Sequence, residues 1–150
     1  MQRTLRAILP VLVASLVLTA LFPSAAGAGV RLERYRDRLL DLVNDARVHR
    51  GIPRLHERTR LDEDAQRHSA RMARERRLFH TPDLYSKVRT FDPRIWGENV
   101  GVGSTIRQVF RAWMRSAPHR ANVLDRRYDS AGLGIVRSGG RFWITMIYIG

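Results

Sequence analysis

The chain has 150 residues, 27 Lys and Arg against 14 Asp and Glu, and no cysteine, giving a formal charge of +13. That length fits one domain with a single core, and 44% hydrophobic residues with only 6 Pro and 11 Gly argue against a disordered chain. Without cysteine there is no disulfide scaffold, thiol nucleophile or thiolate metal centre, so any chemistry falls to His, carboxylate, Ser or Arg.

Arg3 and Arg6, with no acid nearby, precede the 16-residue apolar run Ala7–Phe22, broken only by Pro10, Ser15 and Thr19. The run closes on Pro23-Ser24-Ala25-Ala26-Gly27-Ala28, whose small side chains at Ala26 and Ala28 suit a signal peptidase. It is shorter than the roughly 20 residues that cross a bilayer. Residues 1–28 are therefore predicted to be a signal peptide and the rest, 29–150, a secreted domain. Removing the leader takes away two arginines and no acid, leaving +11. Lys87 is the single lysine, and most of the arginines are expected on solvated helix faces. Such a domain should be drawn to anionic surfaces, wall polymers or lipid headgroups, and no nucleic-acid-binding motif is visible.

In the remaining chain, Leu32, Tyr35, Leu39, Leu42, Val43 and Ala46 recur at helical steps, with Arg34, Asp37, Arg38, Asp41 and Asp45 opposite. Gly51 and Pro53 predict the stop of this first helix. A second helix is predicted from about Leu61 to Arg77, with Leu61, Ala65, His68 and Met72 inward. Asp62, Glu63 and Asp64 would oppose its dipole, and Glu63–Arg67 and Arg71–Glu75 would pair outside. From His80 to Gly103, Pro82, Pro93, Gly97, Gly101 and Gly103 suggest a long loop, functional or mobile. Thr105 and Gln108 form a capping box ahead of a third helix with Ile106, Val109, Phe110 and Trp113 buried; a short helical turn from Pro118 to Leu124 follows. Leu133–Arg137 and Phe142–Ile149 flank Ser138-Gly139-Gly140 as a hairpin. Because the last run is almost continuously apolar, both faces of its sheet should be covered.

Of five histidines, His49 and His56 read as solvated and His68 as a hydrogen-bonded core residue. His80 and His119 stand where helical patterns break, in Phe79-His80-Thr81-Pro82 and Ser116-Ala117-Pro118-His119. Glu98 lies in Trp96-Gly97-Glu98-Asn99.

The order of these motifs resembles the CAP (SCP-like) superfamily, the cysteine-rich secretory, antigen 5 and pathogenesis-related group, in its short secreted bacterial form. The matching pieces are Leu39-Leu40-x-Leu42-Val43-Asn44-x-Ala46-Arg47 with Gly51-Ile52-Pro53-x-Leu55, the Ala65–Met72 helix leading to Phe79-His80, Gly97-Glu98-Asn99, Trp113-Met114-x-Ser116-x-x-His119-Arg120-x-Asn122-Val123-Leu124, and Gly132-Leu133-Gly134. The resemblance covers residues 33–150. It implies an α+β fold, an α-β-α sandwich with a small antiparallel sheet between helices, and a cleft in which His80, His119 and Glu98 are candidate catalytic residues and candidate ligands of a divalent metal, commonly zinc. Neutral imidazoles suit zinc, and a nearby carboxylate can ligate, orient an imidazole or hold a metal-bound water. Ser116 and Asn122 read as residues that cap and tie local backbone. The chain departs from larger eukaryotic members where their second cleft acid falls near Ser116, and where their final-strand His-Tyr-Thr-Gln appears as Trp143-Ile144-Thr145-Met146.

Three readings of these residues stay open. The chain is a secreted, monomeric binding module for lipid, peptide or cell-wall polymer with a metal-dependent cleft. Alternatively it is a zinc-dependent hydrolase with Glu98 as base. In the third, His80, Glu98 and His119 form a structural polar cluster without turnover.

Overall fold

The computed structural model describes the backbone of residues 25–150 and side chains from residue 32 onward. The predicted leader over residues 1–28 lies almost wholly outside the described residues. Helix α1 (Ala25–Val48) buries Leu39 and Val43 completely. It ends as its glycine predicts: Gly51 takes φ +65° and donates to the Val48 carbonyl (2.9 Å), and Ile52 donates to the Arg47 carbonyl (3.0 Å). These are the two crossed bonds of a Schellman cap. Strand β1 (His56–Glu57) follows, then α2 (Thr59–Glu75), whose Leu61, Ala65, His68 and Met72 are all buried. The two outer charge pairs are present, Arg67–Glu63 at 3.7 Å and Arg71–Glu75 at 2.8 Å.

Asp62 does more than oppose a dipole. It is buried, accepts from the Leu133 amide at 2.8 Å and meets Arg36 of α1 at 2.7 Å. Burial outweighs both contacts and raises its pKa to about 6.

The predicted loop from His80 to Gly103 is the main departure. It contains α3 (Leu84–Val88), a 3-10 turn (Arg89–Phe91) and the eight-residue strand β2 (Trp96–Gly103). The glycines that suggested a loop mark close packing instead. A Cβ at Gly97 would strike the Tyr128 hydroxyl, and one at Gly101 the Val109 side chain. Helix α4 (Ile106–Arg115) starts at the expected box: Thr105 Oγ1 accepts from the Gln108 amide (3.0 Å), while Gln108 Oε1 accepts from Ser104 rather than from Thr105 (2.8 Å). Helix α5 (Ala117–Leu124) and the hairpin β3 (Ser130–Ser138) and β4 (Arg141–Ile149) complete the chain, with Gly139 and Gly140 at φ 57° and 73° forming the turn.

The sheet order is β1-β3-β4-β2. β3, β4 and β2 are antiparallel as expected, and the short β1 adds a parallel pairing to β3, so the sheet is mixed. Alternate residues of β4 serve opposite faces. Phe142, Ile144, Met146 and Tyr148 join the core under α1, α4 and α5, whereas Trp143, Ile147 and Ile149 pack toward α2 and α3. Met146, at the glutamine position of the larger relatives, is fully buried in that first core.

The expectation of solvated arginines fails at one position. Arg47 has no exposed surface, and its guanidinium donates to the carbonyls of Pro53 (2.8 Å), Val123 and Asp125 (3.0 Å each) and Tyr128 (2.8 Å). It fastens α1 to the C-terminal end of α5 and to the approach to β3.

Candidate functional site

β2 is an edge strand, opposite β1, and its side chains alternate between the two helical layers. Glu98 lies on the α2 and α3 side, pairing in register with Ile147; Asn99 lies on the α5 side, beside Met146. The Glu98 side chain is only 3% exposed. A carboxylate so buried needs donors, and the segment leaving α2 supplies them. His80 Nδ1 stands 2.7 Å from Glu98 Oε1, the Thr81 amide donates to the same oxygen at 2.9 Å, and the Thr81 hydroxyl donates to Oε2. The buried acid therefore fixes His80 with Nδ1–H toward it, while the imidazole itself remains 63% exposed.

His119 comes from α5 on the opposite face and is partly buried. Its Nδ1 lies 2.7 Å from Ser116 Oγ, and its carbonyl accepts from Asn99 Nδ2 at 3.0 Å. Asn99 Nδ2 also donates to the Tyr148 hydroxyl at 3.1 Å. Burial, and then the positive charge of nearby His80, hold the His119 pKa below the ordinary imidazole value. The structure thus brings His80 and Glu98 into direct contact, while His119 joins the same strand through its backbone carbonyl, which meets Asn99, the residue after Glu98. Among the described residues, neither Nε2 has a hydrogen-bond partner, and no three or more His, Asp or Glu side chains converge as a ready metal cage.

Ser116 departs from its expected capping role. As N-cap of α5 it makes no side-chain cap bond: Pro118 at the second helical position has no N–H to give, and the hydroxyl meets the His119 ring instead of its amide. Asn122 ties distant groups rather than local backbone: it donates to the Glu98 carbonyl at 3.1 Å and to the Asn99 side-chain Oδ1 at 3.0 Å. Trp113 Nε1 does the same for the Val100 carbonyl at 2.9 Å, so α4 and α5 cover the open edge of β2. Sequence reasoning passed over Thr81 and Asn99 as site residues. Each adjoins a residue it singled out, and the three-residue step from Ser116 to His119 was the one legible signal for that pair. His68 is the hydrogen-bonded core histidine expected, 2.8 Å from the Phe79 carbonyl; His49 and His56 are exposed.

These layers define a three-layer α+β domain that pairs His80 with Glu98 on an outer strand of its sheet and carries His119 on the helix beside that strand. The chain belongs to the CAP family, the Cysteine-rich secretory protein family, whose model matches residues 40–148. It is 29% identical over 123 residues to the uncharacterized protein YkwD of Bacillus subtilis (strain 168), an alignment covering 77% of this chain and 47% of that protein. The chain thus spans about half the length of this curated relative. Among solved structures it resembles an extracellular protein containing an SCP domain from Bacillus anthracis str. Ames, with TM-score 0.67 and 22% identity over 75% of this chain and 39% of that one. It also resembles NaASP2, solved with Zn2+, with TM-score 0.60 and 11% identity over 77% and 79% of the two chains. At these identities the structural likeness concerns the fold. Among the described residues, no helix is long and apolar enough to cross a membrane.

Proposed function

We propose that this chain is an extracellular binding domain, exported by its N-terminal leader, whose edge cleft takes a ligand at His80 and His119. The observation that carries this reading is the commitment of Glu98. Its side chain is 3% exposed and its oxygens accept from His80 and Thr81, so it orients an imidazole and anchors a loop out of reach of solvent water. The hydrolase alternative lacks a carboxylate within reach of water. The purely structural alternative accounts for Glu98 and Thr81 but leaves the exposed His80 ring without a task.

Two imidazoles anchored through Nδ1, each with Nε2 unpartnered, fit a divalent cation such as zinc in the chemistry of their donors. His80 and His119 would hold it, and Glu98 and Ser116 would orient them. Such a cation would supply an electrophilic anchor for an oxygen of the ligand. With two protein donors the site stays open, which suits binding better than a closed structural centre. Calorimetric titration with zinc at neutral pH tests this. Binding lost in both His80→Ala and His119→Ala is expected, and a wild-type chain that takes up no zinc at micromolar concentration removes the cation from the reading.

A further inference from the structure

Tyr85 and Trp96 are 50% and 41% exposed, and their rings lie 4.8 Å apart between centroids with 40° between planes. Trp96 is two residues before Glu98 on β2 and on the same face, so its indole starts roughly 7 Å along the strand from the carboxylate that holds His80. Tyr85 comes from α3, a short helix fixed by the fully buried Val88 and by Leu84, both packed in the cluster of Leu61 and Ile147. The aromatic pair is therefore a fixed surface on the same face of β2 as Glu98.

We propose that Tyr85 and Trp96 form a stacking platform for a pyranose ring, and that the ligand of the cleft is a glycan chain. This rests on reading the cleft as a binding site and names its ligand class. A sugar ring has an apolar C–H face and a hydroxyl rim. That combination fits half-exposed aromatic rings set along the strand from Glu98, which holds His80 and Thr81. Two other occupants fit less well. A lipid tail needs a continuous apolar groove, and the 250 Å³ depression adjoining Thr81 sets Asp64, Arg67, Arg71 and Lys87 among His68 and Pro82, a mixed lining. An extended peptide needs the open edge of β2, whose Glu98 and Val100 carbonyls are already taken by Asn122 and Trp113.

Trp113 and Trp143 are only 1% and 7% exposed, so iodide quenching of tryptophan emission reports chiefly on Trp96. The full-length chain is titrated with the β-1,4-linked tetramer of N-acetylglucosamine and separately sedimented with insoluble peptidoglycan. Protection of the emission by the tetramer is expected. Trp96→Ala should weaken binding at least about tenfold and Tyr85→Ala several-fold, while Trp96→Phe keeps most of it. Calorimetry with zinc runs on the same samples. Trp96→Ala should bind zinc as wild type does. No protection at millimolar tetramer together with equal sedimentation of wild type and Trp96→Ala overturns the platform, as does retention only on phosphatidylglycerol vesicles. Saccharide binding without zinc binding sinks the cation reading and leaves the platform standing; zinc binding without saccharide binding sinks the platform alone.

Discussion

Replacing Arg47 by Met keeps the stem's volume and deletes the guanidinium, leaving four carbonyls on three segments without their shared donor. A hydrogen bond from a charged donor contributes roughly 1.5–3 kcal/mol net, so four bonds set an upper limit near 12 kcal/mol. Two effects reduce it. The guanidinium is itself desolvated, which lowers its pKa, and the loop carbonyls of Asp125 and Pro53 can turn toward water. A loss of about 4 kcal/mol remains, within the range for breaking a buried charged network and a large part of a domain's total of roughly 5–15 kcal/mol. Urea unfolding at pH 7 measures it, and the accompanying fall in Tm should be about 12–20 °C. Arg47→Lys, a point charge reaching one or two carbonyls, should lose about half as much. Arg38→Met, on the exposed face of α1, should change stability by less than about 0.5 kcal/mol. An Arg47→Met chain within 1 kcal/mol of wild type would refute the clamp.

Gly134→Ala drives a Cβ into the Ala65 backbone and should cost about 3 kcal/mol, whereas Gly139→Ala meets open space and only the strain of φ +57°, about 1 kcal/mol; matched thermal melts separate them. Asp62 has a folded pKa near 6, above its unfolded value, so the folded state holds the extra proton and this residue's contribution to stability falls as pH rises from about 4 to 6, by roughly 3 kcal/mol. Asp62→Asn should flatten that segment of the stability profile, and an unchanged slope would show that burial does not dominate at this carboxyl. Ser116→Ala frees the His119 ring and should weaken zinc binding about tenfold with little change in Tm; calorimetry and melting on one preparation check both. His80→Ala, at a 63% exposed side chain, should cost less than about 1 kcal/mol, while Glu98→Ala, which strands the donors of His80 and Thr81, should cost about 3 kcal/mol in the same denaturation assay.

Periodicity marked three of the five described helices, Pro118 marked a fourth, and apolar runs around a glycine turn marked the terminal hairpin, because burying one face of a helix or both faces of a strand leaves a pattern local to the segment. Gly51 and the Thr105–Gln108 pair likewise acted through neighbours in sequence, and His80, Glu98 and His119 were legible as residues placed at breaks in pattern. Tertiary structure alone decided that Trp96–Gly103 is a strand. Its glycines are dictated by Val109, Trp113 and Tyr128 pressing on it from other elements, and no window around residue 101 contains those side chains. The same holds for the roles within the site. Whether Glu98 is a base or an anchor depends on Thr81 and His80, 17 and 18 residues away, and whether Arg47 is solvated or enclosed depends on carbonyls as far as 81 residues along the chain. Local sequence carries which faces must leave water; only the folded chain decides which polar groups meet once they have left it.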